Sequence, residues 1–378
     1  MRRPTPLSTE FLRTLRDQLT IPLVWSDEHR RHEPGGEIWV GVRTPGTELP
    51  ERAERIRAEL TERGCPVVAA EPHPDERVLA VHDRELLAYL AEAWDDWREA
   101  GLDRDPGQDR VVPYLFPNPG MLPAEPGPVR IPAAITARAG RFAYDTMTLI
   151  GPGTWEAARA AADVALTAAD LVRDGAGSAY ACCRPPGHHV TRSAFGGSCY
   201  LNNAAIAAAA LRDPADGPVA VIDVDAHHGN GTQSIFWDDP AVLTGSVHID
   251  PGEGWFPHFL GFAEETGGDE ALGTNRNLPL EHGTGDGLWI EAVAGLAGWA
   301  SGQRAEALVV ALGVDAAAGD PESPLQVTPE GYREAGRRLG ELRLPTVIVQ
   351  EGGYDLDSIG SLVGAFLSGF ETGSDPSA

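Results

Sequence analysis

The chain has 378 residues, of which 42% are hydrophobic and 23% are charged, as in globular proteins that bury a substantial core. Its 56 acidic and 30 basic residues give a net charge of −26, which repels phosphate backbones and attracts cations. We therefore expect no nucleic-acid partner and favour a cationic ligand. We also expect no membrane association, because no apolar run approaches the ~18 residues that span a bilayer.

The chain contains four cysteines, and no pair of them has CxxC spacing. Cys182 and Cys183 are adjacent within an apolar run, whereas Cys65 and Cys199 are isolated. This pattern argues against a disulfide framework and against a structural zinc knuckle, and it favours reduced thiols. Because the N-terminal residues include basic side chains but no apolar signal segment, we expect a cytoplasmic protein.

Short apolar or β-branched runs predict strands that are buried on both faces. In chain order these runs are residues 37–42, 66–70, 179–183, 219–224, 242–249, 307–312 and 346–349. Helical patterns alternate with them, at residues 51–63, 85–97, 154–174, 202–211, 287–300, 329–342 and 358–370. The alternation predicts an α/β fold in which a mostly parallel, multi-stranded sheet carries helices on both faces.

Two stretches interrupt this alternation. Residues 103–141 contain eight prolines and four glycines and are too long for an ordinary connection, so we expect a functional or partner-facing loop. Residues 251–277 are rich in glycine, acidic and aromatic residues and predict a second loop. We find no internal repeat and no linker between two cores. The sequence therefore predicts one domain over residues 1–370, followed by a disordered tail over residues 371–378.

Polar side chains follow four of the predicted strands. The residues are His188 and His189 after 179–183, Asp223 to His228 at the end of 219–224, Asp315 after 307–312 and Tyr354 after 346–349. In open α/β sheets, ligands bind beyond the carboxyl ends of the strands. The sequence therefore predicts a functional site at this edge of the sheet.

Asp225 and His227 lie two residues apart at the end of a strand, so both can bind one cation. Aspartate and neutral histidine are common zinc ligands, and a catalytic zinc keeps three protein ligands and an open position. Asp315 is the best candidate for the third ligand. The alternative is a hydrogen-bonded Asp225–His227 pair in the core. Dinuclear ureohydrolases bridge two metals with an Asp-x-His-x-Asp run, but the last position here is Gly229, which favours one metal ion.

The adjacent His188 and His189 can serve one reaction from a Pro-Gly loop. Hydrolysis needs a general base for water and a general acid for the leaving group, and each ring needs an orienting partner. Asp223 and Asn230 are available for that purpose. The alternatives are a second metal site or a packed histidine pair. Tyr354 follows two glycines and could donate a hydrogen bond to an oxyanion.

Seven motifs resemble those of the histone deacetylase superfamily, and within it the acetylpolyamine amidohydrolase branch. They are RPPGHH (184–189), GGSCYLNN (196–203), DVDAHHGNGTQ (223–233), WFPHFLGFAEETG (255–267), NLPL (277–280), GVDAAAGDP (313–321) and EGGY (351–354). The resemblance covers roughly residues 25–370 and implies an arginase-like α/β fold. It implies the same roles as above: zinc ligands Asp225, His227 and Asp315, acid and base His188 and His189 backed by Asp223 and Asn230, and oxyanion donor Tyr354.

The resemblance also implies residues that bind substrate. Gly197 corresponds to a backbone contact with the substrate, and Asp145 to an aspartate at the rim that holds a substrate backbone or amine. Phe256 corresponds to one aromatic wall of the tunnel. The second wall is usually aromatic, but here that position is Ser198. Glu322 lies where polyamine-selective relatives use a glutamate to meet the cationic chain; the alternative is a solvated loop carboxylate.

Two further features follow from the resemblance. A potassium ion is expected as a structural ion, held by Ser246 and by the segment that contains Asp223, Asp225 and His227. The proline-rich stretch 103–141 is similar to the long loop by which acetylpolyamine amidohydrolases dimerise, so we expect a homo-oligomer, either a dimer or a larger assembly.

The sequence thus predicts a zinc-dependent amidohydrolase that removes an acetyl or other acyl group from an amine and cleaves a linear, non-peptide C–N bond. A small acetylated polyamine is the favoured substrate, because of the acidic charge, Glu322 and the long loop. The alternatives are a protein lysine deacylase or a secondary-metabolite amidase, which Ser198 favours, and a non-catalytic module that binds acylated amines.

Overall fold

The computed structural model of the protein describes residues 18–105, 107–121, 130–212 and 217–376. The strands in these ranges are β1 (Leu23–Trp25), β2 (Glu37–Trp39), β3 (Val42–Thr44), β4 (Val67–Ala69), β5 (Ser178–Ala181), β6 (Val219–Asp223), β7 (Val242–Ile249), β8 (Asn275–Leu280), β9 (Ala307–Leu312) and β10 (Thr346–Gln350). Eight of them form one sheet in the order β4-β1-β5-β10-β9-β6-β7-β8, and all neighbours in it run parallel.

The α-helices of the described ranges are α1 (Pro50–Glu62), α2 (Asp75–Val78), α3 (Arg84–Glu99), α4 (Ile135–Phe142), α5 (Thr154–Arg173), α6 (Asn203–Leu211), α7 (Asn230–Phe236), α8 (Asp286–Gly302), α9 (Pro329–Gly340) and α10 (Ile359–Ser374). Short 3-10 helices occur at Asp27–Arg31, Pro119–Met121, Pro251–Glu253 and Asp269–Ala271. None of the helices in the described ranges is both long and apolar enough to cross a membrane.

Alternate side chains of the central strands enter two separate cores. In β9, Val309 and Ala311 pack in the layer that contains α5 and α6, while Leu308 and Val310 pack in the layer that contains α8, α9 and α10. Successive side chains of a strand point to opposite faces, so a strand covered on both sides needs apolar residues throughout. The predicted α/β class, a mostly parallel sheet with helices on both faces, is confirmed.

One predicted strand of the main sheet is wrong. Residues 37–42 begin a separate antiparallel hairpin, in which β2 pairs with β3. Val40 and Gly41 form its turn with φ of 49° and 80°, the left-handed backbone that two-residue hairpin turns require. Thr146 Oγ1 donates to the carbonyl of Ile38 at 2.8 Å and anchors the hairpin. The sheet instead uses β1, which is too short at three residues to produce a distinct sequence pattern.

Both predicted loops contain residues of regular secondary structure. Residues 135–142 of the proline-rich stretch form α4, and Phe142 stacks on Tyr89 of α3 at 4.6 Å between ring centroids. Residues 106 and 122–129 of this stretch lie outside the described residues. At the end of the second predicted loop, β8 begins at Asn275. The sequence did not predict this strand because it begins with polar residues. In the structure the buried side-chain amides of Asn275 and Asn277 donate hydrogen bonds to Gln233.

The predicted disordered tail is wrong for residues 371–374, because α10 continues to Ser374. Glu371 explains the extension: its carboxylate accepts hydrogen bonds from Thr20 N, Thr20 Oγ1 and Ile21 N at 2.7–2.8 Å. Residues 377–378 lie outside the described residues. The single domain over residues 1–370 stays a prediction. The four cysteines are free and buried.

Candidate active site

Four neighbouring strands position the candidate site. β5, β10, β9 and β6 lie side by side in the sheet, and their carboxyl ends lead to His188, Tyr354, Asp315 and Asp225 respectively. Parallel strands place these ends at one edge. The four clusters that the sequence predicted to converge therefore do so.

Asp225, His227 and Asp315 form a cluster in which one ligand atom from each residue lies within 4.8 Å of the others. Nδ1 of His227 is 3.2 Å from Asp225 Oδ1 and 3.0 Å from Asp315 Oδ2. The remaining carboxylate oxygens accept backbone hydrogen bonds, Asp225 Oδ2 from Gly352 N and Asp315 Oδ1 from Ala226 N. Each aspartate is thus fixed by the backbone on one side and presents its other oxygen to His227.

The two carboxylates of this cluster favour the binding of a cation. Both aspartates are buried, and burial next to the Asp225 carboxylate raises the pKa of Asp315. Burial works against charge on His227, but the two carboxylates outweigh it and hold its pKa well above the usual value. A divalent ion can replace that proton, and two carboxylates with one imidazole suit zinc. The residues present therefore fit a zinc ion.

Glycines make room around these side chains. A Cβ at Gly313 would lie 2.0 Å from Asp225 Oδ2, and a Cβ at Gly352 would lie 2.5 Å from the same oxygen. A Cβ at Gly229 would lie 2.2 Å from Oδ2 of Asp223, the partner of His188. A side chain at position 229 would therefore collide with the carboxylate of Asp223, and the single metal ion stays a prediction.

The tandem histidines have different partners. His188 Nδ1 is 2.9 Å from Asp223 Oδ2, and His189 Nδ1 is 2.7 Å from Asn230 Oδ1. Burial disfavours charge on His188, but Asp223 and Asp225 outweigh it and raise its pKa to about 10. Burial and the charges of His188 and His227 lower the pKa of His189 well below the usual value. These opposite shifts favour a charged His188 ring and a neutral His189 ring, and a neutral imidazole can accept a proton.

Tyr354 is fixed from two sides. Its backbone N–H donates to Asp320 Oδ2 at 2.8 Å, and the guanidinium of Arg52 lies 4.5 Å from the centre of its ring. Burial raises the pKa of Tyr354 well above the usual value, so the phenol keeps its proton and can donate a hydrogen bond. Asp320 also accepts from the backbone N–H of Glu322 at 2.9 Å. The sequence analysis did not identify Asp320, which positions both a predicted catalytic residue and a predicted substrate contact.

A cavity of about 420 Å³ opens above these groups. His189, Gly197, Ser198, His227, Phe256, Glu322 and Tyr354 line it, together with Glu37 and Trp39 of the hairpin. Phe256 meets the His189 ring edge to face, with 4.8 Å between centroids. The predicted lining residues other than Asp145 are therefore brought together, and Trp39 adds an aromatic ring that the sequence analysis missed.

Glu37 is a second carboxylate at this cavity. Burial and the carboxylates of Glu322 and Asp145 raise its pKa to about 7. Thr47 lies between the two glutamates: its hydroxyl donates to Glu322 Oε1 at 2.8 Å, and its backbone bonds to Glu37. The sequence analysis interpreted the run Glu-Ile-Trp-Val as a strand of the main sheet and therefore did not identify Glu37 as a residue of the cavity.

Asp145 lines a different, neighbouring cavity. Its carboxylate accepts hydrogen bonds from Gly197 N, Met147 N, Thr148 N and Thr148 Oγ1. It therefore holds Gly197, where a Cβ would lie 2.3 Å from the ring of His189. Substrate binding by Asp145 and by the Gly197 backbone stays a prediction.

Ser246 lies beside Asp223 on the adjacent strand β7. Its hydroxyl donates to Nδ1 of His248 at 2.8 Å, because Nε2 of His248 donates to the carbonyl of Gly261. Among the described residues, no donor forms a hydrogen bond to the Ser246 hydroxyl oxygen, so its lone pairs can face a cation. A cavity of about 10 Å³, lined by Asp223, Ser246 and Asn277 among others, is close to the volume that one water molecule needs. The predicted potassium site stays a prediction.

Residues 47–370 match the family model of the histone deacetylase domain. The chain is 40% identical to the acetylpolyamine amidohydrolase of Mycoplana ramosa over 348 residues, which span 92% of this chain and 98% of that protein. It is 42% identical to the acetylpolyamine amidohydrolase of Burkholderia pseudomallei over 323 residues, 85% of this chain and 91% of that protein. The crystal structure of an acetylpolyamine aminohydrolase from B. pseudomallei matches with a TM-score of 0.87 and 38% identity, over 94% of this chain and 99% of that one.

Gly352→Ala should weaken zinc binding at least about tenfold, or about 1.4 kcal/mol. The added Cβ would lie 2.5 Å from Asp225 Oδ2 and 2.6 Å from Asp315 Oδ2, so it must displace both carboxylates. Zinc affinity is measured by competition with a chromophoric chelator. Gly298→Ala on α8 is the control, since no atom lies within 4 Å of a Cβ there. Equal affinity in wild type and Gly352→Ala would contradict the assigned ligand set.

Proposed function

The chain belongs to the histone deacetylase family, and we propose that it is a zinc-dependent amidohydrolase that removes an acetyl group from an amine. One observation carries the proposal. His227 of the Asp225–His227–Asp315 cluster, His189 of the tandem pair and Tyr354 line a single cavity that also has two carboxylates at its wall. A non-catalytic binding module is disfavoured, because it would not need two histidines with opposite pKa shifts beside a metal site.

The bound zinc ion supplies Lewis-acid polarisation of the amide carbonyl and of water. Asp225, His227 and Asp315 would hold it. His189 is neutral and accepts the proton of the attacking water, while the imidazolium of His188 adds positive charge next to the reacting centre. The phenol of Tyr354 donates to the carbonyl oxygen as negative charge develops on it. His189 then returns the proton to the leaving nitrogen, the C–N bond breaks, and carboxylate and free amine are released.

The substrate we propose is a small acetylated polyamine. The relatives named above carry that substrate class in their names, and the cavity has the matching chemistry. Glu37 and Glu322 both line it, and Thr47 holds the two carboxylates together. A partly dehydrated pair of carboxylates favours a chain with a second ammonium group over a neutral peptide.

A second candidate within the same class is an amidase of bulkier secondary metabolites or of protein lysine side chains. Ser198 favours it, because a hydroxymethyl group lines the cavity where an aromatic wall is usual and leaves more room beside Phe256. The charge of the cavity favours the polyamine.

We also propose a potassium ion beside Ser246 and a homo-oligomeric enzyme. The small polar cavity next to Asp223 supports the ion. In the proline-rich stretch the large apolar residues Tyr114, Leu115 and Met121 are 73%, 44% and 61% exposed to solvent. Such exposure supports a surface for association with another subunit.

Tyr354→Phe should lower kcat about 10²- to 10³-fold, because it removes the donor to the oxyanion and little else. Zinc content and thermal stability should stay at wild-type values. Tyr89→Phe is the control, since that buried hydroxyl lies away from the cavity. A Tyr354→Phe enzyme that keeps wild-type kcat would rule out this role for the phenol.

A monoacetylated polyamine should exceed an acetyl-lysine peptide in kcat/KM by at least about tenfold, since only the polyamine carries an ammonium that can reach both glutamates. Glu322→Gln should narrow this difference. The matched substrate is an acetylated alkylamine of the same length without the second amine. If the peptide is the better substrate, the polyamine proposal fails while the amidohydrolase proposal stands.

The preference for a cationic substrate should increase with pH. Glu37, with a pKa raised to about 7, is largely neutral at pH 6 and charged at pH 8. The ratio of kcat/KM between the polyamine and the matched alkylamine should therefore rise about threefold to tenfold across this range. Glu37→Gln should abolish the rise, whereas Glu51→Gln, at an exposed position on α1, should retain it. A flat ratio in the wild type would contradict the role of Glu37.

A further inference from the structure

Trp255 lies against the ring of the candidate zinc ligand His227. The two rings are stacked, with 6.3 Å between centroids and 25° between planes. Phe256 and His189 meet the same imidazole edge to face, at 6.5 Å and 6.0 Å between centroids. Of these three neighbours, Trp255 alone packs nearly parallel to the imidazole. Neither the sequence motifs nor the proposed reaction gives it a role.

We propose that Trp255 is a positioning residue that holds the ring of His227 in place and thereby slows the exchange of the metal ion. The proposal rests on the proposed function, because it takes Asp225, His227 and Asp315 to be the ligands of a zinc ion.

His227 is the ligand that an ion passes when it enters or leaves the site. The side chains of Asp225 and Asp315 are 1% and 0% exposed, whereas that of His227 is 15% exposed. Of the three ligands, only His227 lines the cavity above the site. An ion that moves between the site and this cavity must therefore pass the imidazole, and the ring has to turn aside to release it.

The imidazole of His227 is held by a hydrogen-bond partner on one side only. Its Nδ1 faces Asp225 Oδ1 and Asp315 Oδ2 at 3.2 Å and 3.0 Å. In the part of the chain that the structure describes, no protein group forms a hydrogen bond with Nε2. A metal-bound histidine ordinarily donates its second N–H to a partner that fixes the plane of the ring. At His227 the stack with Trp255 can supply this restraint instead.

Trp255 is itself fixed by its neighbours. Its ring meets the ring of His282 edge to face, with 5.5 Å between centroids and 81° between planes. The backbone N–H of His282 donates to Glu253 Oε2 at 3.0 Å, which ties the segment that carries His282 to the one that carries Trp255. The carbonyl of Trp255 accepts from the backbone N–H of His258 at 2.9 Å. Because the indole is anchored in this way, it can restrain the imidazole.

The first test measures the release of zinc from fully loaded enzyme into an excess of a chromophoric chelator. Trp255→Leu should release zinc about threefold to tenfold faster than wild type, the factor expected for the loss of one aromatic pair. The indole supplies no ligand atom, so the dissociation constant of zinc should rise by a smaller factor than the release rate. Trp255→Phe keeps a ring in the stack and should release zinc at nearly the wild-type rate.

Trp94→Leu is the matched control, because it removes another partly buried indole, on α3, that does not line the cavity. Equal release rates in wild type and Trp255→Leu would overturn the proposal. An increase that Trp94→Leu or Trp255→Phe shares would overturn it as well. So would a dissociation constant that rises by the full factor of the rate, since damage to the ligand set would then explain both.

The second test keeps Trp255 in place and so does not depend on the folding of Trp255→Leu. Enzyme labelled with 5-fluorotryptophan is loaded with Co²⁺ instead of zinc, and Trp255→Phe assigns the ¹⁹F signal. The resonance of Trp255 should shift and broaden, because the indole lies against a ligand of the paramagnetic ion. A Trp255 resonance that Co²⁺ leaves unchanged would overturn the proposal.

Failure of this proposal can be told apart from failure of the proposed function. A wild-type enzyme that binds no zinc would contradict both. An enzyme that binds zinc, but releases it equally fast with tryptophan or leucine at position 255, would contradict only the role of Trp255.

Discussion

Three aspartates buried at one end of a parallel sheet constrain most of what surrounds them. Carboxylates without partners are costly to bury, so each needs backbone donors, a cation or a charged histidine. Asp225 and Asp315 take backbone N–H groups and share His227, and Asp223 takes His188. The glycines nearby leave space for these oxygens. The neutral state of His189 follows as well, because burial and the charges of His188 and His227 lower its pKa.

The two glutamates at the wall of the cavity differ from these aspartates in how their charge is compensated. Glu37 and Glu322 share Thr47 as a hydrogen-bond partner, and burial leaves Glu37 with a raised pKa instead of an ion pair. The protein thus balances negative charge at the floor of the site and leaves it unbalanced at the wall. An enzyme whose substrate brings its own positive charge needs this distribution.

The sequence was most informative where a strand end and a polar motif coincide. The four clusters after β5, β6, β9 and β10 could be predicted, because parallel strands must deliver their ends to one edge. The hairpin and the place of Glu37 could not be predicted, because β2 has the alternation of a sheet strand. Only its tertiary contacts distinguish it from a strand of the main sheet. Asp320 was hidden for another reason: it positions Tyr354 through a hydrogen bond formed across a long sequence distance, which no spacing records. The last turn of α10 has a disorder-like composition, but the hydrogen bonds of Glu371 with Thr20 and Ile21 hold it in place.

The hairpin β2–β3 also bears on how the enzyme could diversify. It contributes Glu37 and Trp39 to the cavity, but within the part of the chain that the structure describes its two strands pair only with each other, outside the eight-stranded sheet. Its turn is exposed, and Val40 retains 83% of its surface. Insertions or exchanges there would alter the wall that we propose meets the amine without disturbing the strands that carry the proposed metal ligands. Part of the substrate selectivity is thus encoded apart from the chemistry, so related enzymes with the same reaction can change their substrate preference by remodelling this hairpin.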